Sequence, residues 1–252
     1  MTDNKNLLDF LLIHADTGNI IGHRLGEWCG HGPVLEQDLA MTNFALDHLG
    51  RARLLYQYAG EVGGNSKTED DLAFLRHEYE YKNLLLAEFS NTDFAHTVAR
   101  QFFLDAYYID LLEELIKSSD QKISQIASKS LKETSYHYKW SSEWLIRLGD
   151  GTEVSHSKMQ TAVNQLWEFT GELFVPVESE TYLANEGIIP SADTLSPKWK
   201  KRIKEIFSEA TISIPDRKYQ QTGGKSGNHT ERLGYILADM QYMQRAFPGQ
   251  KW

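Results

Sequence analysis

The sequence predicts an all-α fold, a helical bundle with long central helices, and two observations carry that expectation. Of 6 prolines only Pro33 precedes Pro176, so most of the chain is free to run in long uninterrupted helices. Within those tracts apolar residues recur at spacings of three and four, and no run of alternating β-branched residues signals a sheet. The one strand-like snippet, "TISI" (211–214), is too short to imply a sheet.

The elements follow in order. A first helix runs from about Asn4 to Trp28 and stops at "CGHGP". A second starts at Pro33, a residue suited to a first helical turn, and takes Leu35, Leu39, Leu46, Leu49 and Leu54 as its apolar positions. It continues to "YQYAG", after which "EVGGNSK" (61–67) breaks the pattern. A shorter helix covers about Glu69 to Glu88 and ends in "SNTD". A third long helix spans Phe94 to Lys117, and a fourth covers about Gln121 to Leu148 before "GDG". A fifth, from about Ser155 to Phe174, precedes a less regular tail holding four of the remaining prolines. The last helix occupies Thr230 to Ala246. Because the Gly/Ser-rich breaks lie within the bundle pattern, residues 1–252 read as one domain with extra C-terminal helices.

Composition excludes several partners. A net charge of -9 argues against a nucleic-acid or anionic-membrane surface, since phosphates want a basic face. Cys29 is the only cysteine, which rules out an intrachain disulfide and any multi-cysteine zinc or iron–sulfur site. The N-terminal "MTDNKNLLDFLLIHAD" lacks a basic n-region, and its apolar run is too short to span a bilayer. The expected setting is the cytoplasm.

The search for chemistry starts from polar residues that interrupt apolar stripes. Asp105 sits in a stripe with Val98, Phe102, Ile109, Leu112 and Ile116, so it points inward. Such an Asp needs a cation, several donors or a proton. A buried Arg or capping hydroxyls would serve as well as a metal. Asp110, beside Glu113 and Glu114, reads as a wet-face residue.

On the fourth helix, Ile123, Ala127, Ser130, Thr134, His137, Ser141, Trp144 and Leu148 form an inner face, with Glu133 at its margin. His137 is open to two readings, a hydrogen-bonded core histidine or a ligand paired with Glu133. On the second helix, His48 and Arg51 are three apart and face one way. Arginine stays protonated and only donates, so it cannot be a ligand. An exposed Asp47–Arg51 pair is the bland alternative.

A pair of irons in a carboxylate bundle needs about six protein ligands, with Glu-x-x-His on two helices. Here Asp105, His48, His137 and at most Glu133 remain. The charge balance suggests that Arg51 takes the place of the metal's charge and neutralises Asp105, with His137 and Glu133 in the same network. Other motifs carry less. "TGGKSG" (222–227) would place a P-loop's first glycine at Tyr219 with no strand before it, so it reads as a surface turn. His77 and Glu80 read as a solvated face, and the paired tyrosines and tryptophans as core. No nucleophile–base pair can be assembled.

A resemblance then adds what spacing cannot. "RLGEWCGHGPVLEQDLA" (24–40), "NLLLAE" (83–88), "FAHTVARQFFLDA" (94–106), "KETSYHYKW" (132–140), "TGGKSGNHTERLG" (222–234) and "MQYMQRAFPGQKW" (240–252) resemble the C-subunit family of bacterial phenylacetyl-CoA epoxidases, in order and nearly end to end. The resemblance implies a ferritin-like bundle. It implies a monooxygenase complex that epoxidises the ring of phenylacetyl-CoA with NADPH and dioxygen in aerobic phenylacetate breakdown. The di-iron site and substrate belong to a homologous catalytic subunit, and a flavin and iron–sulfur reductase supplies electrons. A chain of the C-subunit family is the structural, non-catalytic partner and is not an enzyme by itself.

Carried across by position, the catalytic subunit's second-helix Glu-x-x-His falls on His48 and Arg51, and its fourth-helix motif on Thr134 and His137. Its third-helix carboxylate falls on Asp105, and its first-helix carboxylate lands near Gly18 without a residue assigned. The site therefore reads as vestigial, with no cofactor in this chain. The expected partner is the homologous catalytic chain, through an interface of more than about 2,000 Å² in total, with a homodimer expected of the chain alone. Two readings compete: a di-iron oxygenase using Asp105, Glu133, His137 and His48, and an acyl-CoA-binding module. The lack of a basic cluster for nucleotide phosphates counts against the second.

Overall fold

Capping chemistry and close-packed glycines set the helices in this computed structural model, which describes residues 2–64 and 67–250. Asn65 and Ser66 of the expected break, and the terminal Met1, Lys251 and Trp252, lie outside the described residues. Ten α-helices follow in order: α1 (Thr2–Gly26), α2 (Leu35–Gly63), α3 (Glu69–Phe74), α4 (Leu85–Glu88), α5 (Phe94–Leu115), α6 (Gln121–Gly149), α7 (Glu153–Leu166), α8 (Glu178–Asn185), α9 (Ala192–Glu209) and α10 (Glu231–Ala246). Among the described residues there is no strand, and the fold is all-α, consistent with a ferritin-like bundle.

The chain groups into two compact units. The first comprises Met1–Ser90, Val177–Ser179 and Gly223–Trp252; the second comprises Asn91–Pro176 and Glu180–Thr222.

In the first unit α1 lies along α2, and two α1 glycines let it come close. A Cβ on Gly18 would stand 3.1 Å from the His48 carbonyl oxygen, and one on Gly22 would stand 2.8 Å from Leu49 Cγ. Gly64, at φ 64°, ends α2 in the left-handed conformation that glycine adopts without strain. The face that α2 buries is Met41, Phe44, Ala45, His48, Arg51, Ala52, Leu55, Tyr56 and Ala59. This corrects the leucine stripe expected from sequence, because Leu35, Leu39 and Leu46 are 71%, 55% and 63% exposed. The helix also begins two residues after Pro33, with Val34 as its N-cap.

The expected helix over Glu69–Glu88 is instead broken into α3, a 3-10 turn at Glu78–Glu80 and α4. Two buried claims on the intervening backbone explain the break. The Lys82 N–H donates to the Asp16 carboxylate at 2.8 Å, and the Leu84 N–H donates to Thr17 Oγ1 at 3.0 Å. Donors committed to α1 side chains cannot also close helical turns.

The second unit has an aromatic core. Asp93 caps α5 by accepting from the His96 N–H at 2.9 Å, and Asp120 caps α6 by accepting from Lys122 and Ile123. Phe103 of α5 packs with its ring centroid about 6 Å from those of Trp167, Trp199 and Phe207. The tail expected to be irregular holds the 18-residue α9, whose Leu195, Trp199, Ile203 and Phe207 are buried at intervals of four. Pro197 falls in the second turn of α9, so the Asp193 carbonyl lacks the N–H it would otherwise receive.

Candidate functional site

In the second unit, Asp105 occupies the inward position its stripe implies. It is buried on α5, where Gln101 Nε2 donates to Oδ1 at 2.7 Å and Ser141 Oγ of α6 donates to Oδ2 at 2.8 Å. Gln101 lies one turn before Asp105 on the same helix, and Ser141 lies one turn beyond His137 on α6, so helical spacing aims both donors. Thr134 and His137 are buried on the same face of α6, and Glu133 is half-buried at its edge. Each Asp105 oxygen thus takes a hydrogen bond from a neutral donor.

Asp110 corrects the sequence reading. It is buried at 1% exposure, and its Oδ1 accepts from Arg202 Nε of α9 at 3.0 Å. Its Oδ2 is buried and has no hydrogen-bond partner among the described residues. Burial raises the carboxyl above its ordinary value, and the Arg202 guanidinium opposes that rise.

In the first unit, His48 and Arg51 meet directly. Arg51 Nη2 lies 3.0 Å from His48 Nδ1, and both residues are buried. A guanidinium only donates, so Nδ1 carries the lone pair and the imidazole proton sits on Nε2. The exposed Asp47–Arg51 pair is therefore not the arrangement here, since Arg51 is interior.

Two features of this unit escaped the sequence reading. Lys225, in the "TGGKSG" segment taken for a surface turn, is 4% exposed, and Gly224 beside it is buried. The turn needs its glycines: Gly223 has φ 130° and Gly227 φ 83°, with the Tyr79 carbonyl where a Gly227 Cβ would sit. Lys225 and Arg51 both act on His14, a buried α1 histidine lowered to about 3, chiefly by burial and then by these two positive charges. His14 is thus a neutral imidazole among fixed cations.

The second is Asp16, two residues before Gly18. It accepts from Tyr56 Oη at 2.6 Å, from Arg76 Nη1 at 3.1 Å and from Arg76 Nη2, besides the Lys82 N–H. Burial, with Asp16 beside it, holds the Tyr56 phenol well above its ordinary value. The signal was present in the sequence: Ile13, Asp16 and Ile20 share one helical stripe.

The comparisons with known proteins bear on these positions. The family model described as phenylacetic acid catabolic protein matches residues 1–252. The chain belongs to that family. It is 47% identical to the C subunit of the 1,2-phenylacetyl-CoA epoxidase of Escherichia coli (strain K12) over 248 residues, 98% of this chain and all of that protein. For a member of this family the ligand question can be put concretely. At the two positions where the family resemblance implies Glu-x-x-His, this chain presents His48 hydrogen-bonded to Arg51, and the neutral hydroxyl of Thr134 with His137. Arg51 cannot ligate, Thr134 offers no carboxylate, and both Asp105 oxygens already accept hydrogen bonds. A pair of carboxylate-bridged irons needs about six protein ligands, and Arg51 and Thr134 supply none of them. No helix among the described residues is long and apolar enough to cross a membrane.

Proposed function

We propose that this chain is the structural, non-catalytic subunit of a phenylacetyl-CoA epoxidase and that it scaffolds a homologous di-iron catalytic subunit. The observation that carries the reading is the Arg51–His48 hydrogen bond. It puts a permanent cation at a ligand-equivalent position and engages the imidazole's lone pair, so a bound metal would have to displace a buried guanidinium. The 47% identity to an epoxidase component supports membership of such an assembly and the acyl-CoA class of substrate. Iron belongs to the partner in this proposal, and NADPH, flavin and iron–sulfur centre to the reductase, all in the cytoplasm.

The outward face of α2 supports a scaffold role. Val34, Leu35, Leu39 and Leu46 are exposed along its N-terminal half, a concentration of large apolar residues that a lone surface helix gains nothing from showing. We assign this face to the contact with the catalytic subunit. The test is co-purification of the two chains, followed by iron and turnover assays on each alone. Iron and turnover should follow the catalytic chain; two tightly held irons in this chain would overturn the reading. Leu39→Asp should weaken co-purification at least tenfold while leaving the fold of the isolated chain intact, and unchanged association would remove α2 from the interface.

A further inference from the structure

The first unit contains a second buried polar cluster, remote in sequence from the ligand-equivalent positions and built on two of the motifs that carry the family resemblance. Glu88, the last residue of "NLLLAE" and of α4, is fully buried. Its Oε2 accepts from the Thr230 N–H at 2.9 Å and from Thr230 Oγ1 at 2.6 Å; its Oε1 accepts from Asn83 Nδ2 at 2.9 Å. His229 of "TGGKSGNHTERLG" completes the set. Its Nδ1 lies 2.7 Å from Glu88 Oε1, and its Nε2 lies 2.8 Å from the Tyr81 carbonyl oxygen. Arg24 of α1 braces the cluster by donating to the Glu88 carbonyl oxygen through Nε at 3.1 Å and Nη2 at 2.8 Å.

The proton count follows from the partners. A carbonyl oxygen only accepts, and so does each oxygen of an ionised carboxylate, so with Glu88 ionised neither neighbour of the imidazole has a proton to give it. Both ring nitrogens must therefore donate, which requires the imidazolium. We propose that His229 is a protonation-dependent latch: as a cation it pins the segment 223–246 onto Glu88 of α4 and the Tyr81 backbone, and as a neutral ring it releases one of its two bonds. Loss of the proton leaves a nitrogen lone pair facing either the Glu88 carboxylate or the Tyr81 carbonyl, a buried acceptor against an acceptor.

The charged groups around the ring act in the same direction. Glu88 of α4 and Asp16 of α1 both favour the cation, and the hydrogen bond to Tyr81 adds to them; burial, the largest influence, opposes it, and the balance lies above the ordinary value. Arg24 meets the Glu88 backbone oxygen rather than its carboxylate, and its Nη1 donates to Glu27 Oε1 at 2.7 Å. The latched segment starts with the tight turn that buries Lys225 and ends with α10, whose Gln241 donates to the Arg76 carbonyl at 2.9 Å and to the Tyr81 hydroxyl at 2.9 Å. Release would thus loosen both the buried ammonium and the packing of α10.

Hydrogen exchange of the whole chain, read by mass spectrometry, tests the latch. After correction for the intrinsic rise of exchange with pH, protection of peptides covering 223–246 should fall as pH rises above 6.5, up to the tenfold per pH unit that loss of one linked proton allows. Peptides from α5 should show no such slope. In His229→Gln the slope should disappear. Protection in the native chain that does not vary with pH, or an undiminished slope in His229→Gln, would overturn the proposal. Should that variant fail to fold, the nitrogen chemical shifts of the native His229 ring decide: both nitrogens protonated above pH 6.5 support the latch, and titration at or below 6.5 sinks it.

Discussion

The two units bury their polar groups in different ways. The first closes around charge: Asp16 with Arg76, Glu88 with His229, and Arg51 and Lys225 beside His14. The second closes around rings, with Phe102, Phe103, Trp167, Trp199 and Phe207 in mutual contact and Asp105 held by neutral donors. The lesson concerns what each interior depends on. An aromatic core loses volume when truncated, whereas a charged one leaves its partner buried and unmatched, and responds to pH.

The largest effects should expose that contrast. Arg76→Ala strips the Asp16 carboxylate of two guanidinium hydrogen bonds and should cost about 3–5 kcal/mol. Phe207→Ala should cost a similar amount, about 3–5 kcal/mol, by leaving a cavity among the rings. What separates the two is rescue. Adding Asp16→Asn to Arg76→Ala should recover part of the loss, because it removes the stranded charge, while no charge change should help Phe207→Ala. Denaturation of the single and double variants, with exchange of α1 and α9 read separately, measures this. A double variant no more stable than Arg76→Ala would show that geometry, not charge, governs the first unit.

A smaller effect is expected at Asp105. Ser141→Ala deletes the hydroxyl that donates to Oδ2 and should destabilise α5–α6 by about 1–3 kcal/mol. The mutant should gain no affinity for ferrous ion if Asp105 is a structural carboxylate; metal-dependent stabilisation of the variant would argue that the hydroxyl had been blocking a ligand.

The same contrast decides what was legible in the sequence. Long helices were readable because breaks such as "SNTD" and "GDG" bound them and no proline interrupts them. The inward aspect of Asp105, Thr134 and His137 followed from periodicity alone. On α2 periodicity misled, since Leu35, Leu39 and Leu46 recur at helical spacing yet face outward. A stripe fixes which residues share a face, not what covers that face. The broken segment after α3 was hidden because its cause lies on α1, where Asp16 and Thr17 take the backbone donors. Proline in the tail obscured α9, although Leu195, Trp199, Ile203 and Phe207 gave the helical signal. Lys225 and Glu88 were unreadable as interior residues, because pairing between distant segments makes their burial tolerable.

Asp110 offers the finest distinction, since it is a charge inside the ring-filled unit. Arg202 holds one oxygen, the other is buried without a partner, and the carboxyl titrates above its ordinary value of 3.8. In the window from 3.8 up to its folded value the native state holds more of this proton than the unfolded chain does. Stability therefore falls, slightly, as pH rises through that window, opposite in sign to a salt-bridged carboxylate with a depressed value. Asp110→Asn keeps an acceptor for Arg202 and cannot ionise, so the second unit should lose this downward slope while its stability near pH 4 barely changes. Denaturation midpoints of the two proteins, compared at several pH values from 3 to 7, test it. Parallel profiles would mean that Arg202 fully compensates the burial of Asp110.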